Sequence, residues 1–135
     1  MRIVFADTGY WVALLNPRDQ HHVKVKSLSS SLGQTRIVTS EMVLDELLAG
    51  LSEPPVRAIA ISAVSSILTN PNVEVVPQTS LQFREAFNMY KSRTDKAWSL
   101  TDCASFNLMK ERGVTEALAH DGHFEQAGFV ALLRS

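Results

Sequence analysis

Asp7, Asp102 and Asp121 each stand where a carboxylate serves either backbone geometry or chemistry. Asp7 closes the apolar run RIVFA, and Asp121 closes EALAH within LAHDGHF. Asp102 heads SLTDCASFNLM, where Phe106 and Met109 follow at helical spacing on the same face, so an acid occupies the first rung of an apolar ladder. A fourth acid comes from SEMVLDELLAGL. Val43, Leu44, Leu47, Leu48 and Leu51 centre its apolar face, and Asp45 and Glu46 flank that face on opposite sides, which leaves both open.

Carboxylates gathered in one pocket repel and raise each other's pKa, so the cluster is stable only when protons or cations neutralise it. Oxygen ligands favour hard ions such as Mg²⁺ or Mn²⁺, which bind through a few carboxylates, retain waters and take phosphate oxygens as further ligands. The matching chemistry is hydrolysis of a phosphodiester, with the ion orienting water and stabilising charge on phosphorus and the leaving oxygen. Structural roles compete with it. Asp7 can cap a helix, Asp102 gains about 0.3 to 1 kcal/mol from a helix dipole, and Asp121-Gly122 is a favoured turn pair. Helical side chains lean toward the amino end, so Asp102 projects past Phe106 and Met109, and capping is the weaker explanation for it.

The elements that must position these acids follow from the patterning. Strands are expected at 2–6, 36–39, 73–76, 116–120 and 129–133. Helices are expected after Asp7 up to Asn16-Pro17, then at 21–32, from a Thr39 or Ser40 cap to Leu51, and at 56–68, 80–93 and 101–112. Short apolar strands alternating with helices give a three-layer α/β/α sandwich with a central parallel sheet of about five strands. Sites in such sheets collect beyond the carboxyl ends of the strands, which brings Asp7 and Asp121 to one edge. Asp102 follows another helix, so pattern alone does not place it there.

At 135 residues the chain is one domain, 1–135, with one core. Thirteen Lys and Arg against 14 Asp and Glu exclude a global basic field, so any nucleic acid is held locally. The compact basic stretch is YKSRTDKAW, where Lys91, Arg93 and Lys96 accompany Tyr90 and Trp98. One cysteine, Cys103, and no long uncharged apolar run lead to the expectation of a cytoplasmic chain without a membrane span.

FADTGYWVALLNPRDQHH, TSEMVLDELL and DKAWSLTDCASFNLMKERGVTEALAHDGHFEQAGF, in this order, resemble the PIN domain, and within it the VapC-type ribonuclease toxins of bacterial toxin-antitoxin pairs. The resemblance implies that Asp7, Glu46, Asp102 and Asp121 form the catalytic acidic cluster that holds one or two Mg²⁺ or Mn²⁺ ions, and it favours Glu46 over Asp45, which becomes a surface acid. It implies supporting hydroxyls at Thr8 and Thr101, an RNA substrate, a homodimer and a small antitoxin partner. His123 and Lys96 are the candidate substrate contacts.

Rival chemistries are weaker. His21, His22, His120 and His123 lack the i, i+4 helical spacing of a zinc motif, and Cys103 directly follows an acid, which suits a buried structural thiol. Asp95 is the nearest outsider to the cluster, with an exposed loop acid as its competing role. A phosphoacceptor domain needs an acidic pair after strand one, which Asp7 lacks. A non-catalytic interaction module would use the charge-poor helix 56–68, either deeply packed or covered by a partner.

Overall fold

Five apolar runs form one parallel sheet: β1 (Ile3–Ala6), β2 (Arg36–Ser40), β3 (Val73–Val76), β4 (Glu116–Leu118) and β5 (Val130–Ala131). The structure, a computed structural model, describes residues 1–134. The strand order is β3-β2-β1-β4-β5, so β1 is central and pairs with β2 through Phe5↔Val38 and with β4 through Phe5↔Ala117. Val4, Phe5 and Ala6 are fully buried, as expected for a strand covered on both faces.

The helices are α1 (Thr8–Leu15), α2 (His22–Ser31), α3 (Glu41–Gly50), α4 (Val56–Thr69), α5 (Ser80–Ser92), α6 (Leu100–Arg112) and α7 (His123–Gln126). Crossovers between parallel strands are right-handed, and the chain moves outward from β1 to β3 before returning to β4. That reversal sends α5, α6 and α7 to the face opposite α1 to α4. Within each group α1 packs on α2, α3 and α4 and α6 packs on α5 and α7, while α3 also meets α6.

Three expectations change. The fourth strand ends at Leu118 and the fifth at Ala131, because the Leu133 N–H donates to the Ala119 carbonyl at 3.2 Å and Leu132–Arg134 closes as a 3-10 turn. The charge-poor helix α4 is not deeply packed, which leaves coverage by a partner as the alternative: Ala60, Ala63 and Ile67 face the core, while Ile61 and Leu68 are exposed. The four-residue α7 is too short to produce a periodic signal, and its anchor is Phe124, fully buried with its ring 5.0 Å from Phe106.

A buried polar thread joins the layers beneath the sheet edge. Trp11 Nε1 donates to Thr39 Oγ1 at 3.3 Å, and Thr39 Oγ1 donates to the Ala6 carbonyl at 2.9 Å. Thr39 is thus committed to the core, and Ser40 is the cap of α3, accepting from the Val43 N–H at 3.2 Å. Among the described residues no helix is long and apolar enough to cross a membrane.

Candidate active site

The direction in which the chain crosses the sheet reverses between β1 and β4, and residues following these two neighbouring strands share one crevice. Asp7 directly follows β1, and its N–H donates to the Leu118 carbonyl of β4 at 3.2 Å. Its backbone occupies the N-cap of α1, yet its carboxylate makes no capping bond. Burial, together with the charges of Asp102, Asp121 and Glu46, pushes the Asp7 carboxyl up to about 7, and the backbone of Thr8 offsets this only in part. The charges acting on Asp7 are all negative.

Glu46 joins that set and Asp45 does not, although both are exposed on α3. Ser40 fixes the start of α3, and the buried Val43, Leu44 and Leu47 set its rotation, which brings Glu46 toward the β1 edge.

Asp102 sits in the first turn of α6, 7 % exposed, above the buried Phe106 and Met109. Its capping role is stronger than the pattern suggests. Asp102 Oδ2 accepts the Ser99 N–H at 3.0 Å, while the Asp102 N–H donates to Ser99 Oγ at 3.0 Å, a reciprocal capping box. The box orients the carboxylate toward the crevice, so capping and site geometry are one arrangement. Burial raises the Asp102 pKa, with the Ser99 and His123 hydrogen bonds opposing.

Asp121 lies beyond β4, and its Oδ1 accepts the His123 N–H at 3.1 Å. The His123 ring turns toward the acids: Nδ1 is 2.9 Å from Asp102 Oδ2 and 3.9 Å from Asp121 Oδ1. One ligand atom from each of Asp102, Asp121 and His123 lies within 4.8 Å of the others, an arrangement able to hold a metal ion. Sequence patterning misses the histidine's membership of this group because it depends on α7; the available signal is its position two residues after Asp121.

The flanking hydroxyls differ. Thr8 Oγ1 is buried and has no hydrogen-bond partner among the described residues. Thr101 is half-buried, and its carbonyl accepts Ser105 Oγ at 2.8 Å. Asp95 is absorbed elsewhere, in a bidentate pair with Arg93 at 3.0 Å on each arm. Cys103 is fully buried, and burial with the Asp102 charge pushes its thiol up, which suits a packing role. His120 packs against His21 with ring centroids 4.1 Å apart and is not one of the three-ligand group.

Beside Asp102 the loop after α5 opens a groove lined by Tyr90, Arg93, Thr94, Lys96, Trp98 and Ser99. The Arg93 guanidinium lies 4.9 Å from the Trp98 ring centre, and Trp98 Nε1 donates to Gln126 Oε1 at 3.0 Å. Ser99 belongs both to this groove and to the capping box, so the groove adjoins the start of α6 that carries Asp102.

Comparisons with known proteins match this architecture. The PIN domain model covers residues 4–130. The chain is 31% identical over 128 residues to the 23S rRNA-specific endonuclease VapC20 of Mycobacterium tuberculosis, covering 95% of this chain and 96% of that one. The crystal structure of VapC20, described as a sarcin-ricin loop cleaving toxin, superposes with a TM-score of 0.85 over 94% of this chain and 96% of its own. FitAcB from Neisseria gonorrhoeae shares the fold at 15% identity, with a TM-score of 0.66 and coverage of 95% of each chain. An acidic crevice at the sheet reversal, the order of its acids along the chain and a full-length match converge: this chain belongs to the PIN-domain family, among the VapC-type endonuclease toxins.

Proposed function

We propose that the chain is a Mg²⁺- or Mn²⁺-dependent endoribonuclease, the toxin of a toxin-antitoxin pair, with Asp7, Glu46, Asp102 and Asp121 as its catalytic, ion-holding acids. The observation that carries this reading is Asp7: a buried carboxylate facing three further acids, its pKa pushed up to about 7, beside the unpartnered Thr8 Oγ1. Such a donor set suits a hard divalent cation, which relieves the repulsion. When bound, the ion supplies positive charge to the attacked phosphodiester and the leaving oxygen.

The protein's own residues position the reaction. Ser99 holds the Asp102 carboxylate in register, and the His123 N–H does the same for Asp121. Thr8 and Thr101 flank the acids as supporting hydroxyls. Lys96 and the Tyr90–Trp98 groove provide a phosphate contact and aromatic faces for an RNA strand entering the crevice, and the local placement of this charge agrees with a net charge of -1. A ribosomal RNA loop is the substrate class, by kinship with VapC20. Two exposed apolar faces, Ile61 and Leu68 on α4 and Phe83 and Phe87 on α5, support a small antitoxin partner and a homodimer.

The test is RNA cleavage by the purified chain, freed of any antitoxin, on total cellular RNA with Mg²⁺ or Mn²⁺. Discrete cleavage that chelator stops and that Asp7→Asn and Asp102→Asn lose is expected. Cleavage that persists with chelator, or equally in both variants, refutes the mechanism.

A further inference from the structure

We infer that His123 is itself a metal ligand, so that the site is a mixed nitrogen and oxygen centre that binds Mn²⁺ in preference to Mg²⁺. This rests on the metal-dependent reading above and adds a residue that the four-acid scheme does not contain. The argument is geometric. An octahedral ion with ligands at about 2.1 Å places neighbouring ligand atoms about 3.0 Å apart. His123 Nδ1 and Asp102 Oδ2 are 2.9 Å apart, the edge of such an octahedron. Asp121 Oδ1 lies 3.9 Å from the same nitrogen, between the edge of about 3.0 Å and the diagonal of about 4.2 Å of that octahedron, so a small turn of its partly exposed side chain completes the set.

The imidazole is also held for this role. His123 opens α7, whose next residue, Phe124, is fully buried against Phe5 and Phe106. Its own N–H fixes Asp121, so one residue sets the relative position of two carboxylates and a nitrogen. Without an ion, Nδ1 and Asp102 share a hydrogen bond; an ion replaces the bridging proton on the same two atoms. Imidazole is a poorer partner for Mg²⁺, which keeps its waters, than for a transition ion such as Mn²⁺.

Mn²⁺ alone, added to the full chain, is the probe, and pulsed electron paramagnetic resonance reads whether nitrogen is directly bound. The unmodified chain should show ¹⁴N modulation on bound Mn²⁺. His123→Asn and His123→Gln should still bind Mn²⁺, weakened by more than the roughly tenfold that losing an outer-shell partner costs, and lose the modulation. His120→Gln should retain it. In both His123 variants less Mg²⁺ should displace the bound Mn²⁺ than in the unmodified chain. Bound Mn²⁺ without ¹⁴N modulation, or modulation that survives both His123 variants, overturns the inference and leaves the four-acid site standing. Failure of the unmodified chain to bind Mn²⁺ overturns both readings together.

Discussion

Replacing Asp7 with asparagine should stabilise the metal-free chain at neutral and alkaline pH even as it removes catalysis. Burial and three neighbouring acids raise the Asp7 carboxyl from its ordinary 3.8 to about 7. Because the folded pKa lies above the unfolded one, the folded chain keeps this proton through a range in which the unfolded chain has lost it. Stability therefore falls as pH rises from about 4, and the loss is complete above about 7. Each factor of ten in acidity is worth about 1.4 kcal/mol, which sets the full loss on the order of 4 kcal/mol. An asparagine side chain at this position has no charge to bury and escapes that loss. Urea denaturation in chelator at about pH 4.5 and about pH 8 measures it: the advantage of Asp7→Asn should widen with pH, up to that bound. Mn²⁺ at about a hundredfold its Kd should return about 2.7 kcal/mol to the unmodified chain and much less to the variant. A stability difference that stays flat with pH, or an Asp7→Asn variant that is the less stable of the two in alkaline buffer, refutes the picture of an uncompensated buried carboxylate.

Glu46→Gln should lower Mn²⁺ affinity, measured by calorimetry, and the cleavage rate by roughly 10- to 100-fold, whereas Asp45→Asn leaves both unchanged. Lys96→Ala should weaken RNA binding across sequences and reduce the slope of log K against log salt by about one, read by filter binding in the presence of chelator. Ser99→Ala should cost about 1 kcal/mol of stability in denaturation and also slow cleavage, since the same box that caps α6 aims Asp102.

The strands and long helices are legible because their signals are local. RIVFA, RIVT and VEVV read as buried strands within a residue of their true ends, and the Asp102, Phe106, Met109 ladder is buried as its spacing requires. The end of β4 is not legible, since it depends on a hydrogen bond between Ala119 and Leu133 that no local pattern encodes. The choice between Asp45 and Glu46 lies beyond periodicity for a similar reason: it depends on how α3 is rotated against β1, and only the family resemblance favours Glu46. For Asp102 the two candidate roles look exclusive in sequence, yet one carboxylate oxygen serves the cap and the crevice together.

The central strand carries a consequence for how the protein is made. β1 is made before the other four strands of the sheet, but its second neighbour is β4, which begins at residue 116. Until then one edge of the innermost strand has no partner, and such long-range pairing is closed late and slowly. Asp7, Glu46 and Asp102 have all been synthesised by that stage, whereas Asp121 and His123 follow the strand that joins the second edge of β1. A growing chain therefore carries three of the four proposed acids before β4 can pair with β1, and the proposed site cannot assemble until residues 116–123 have been made.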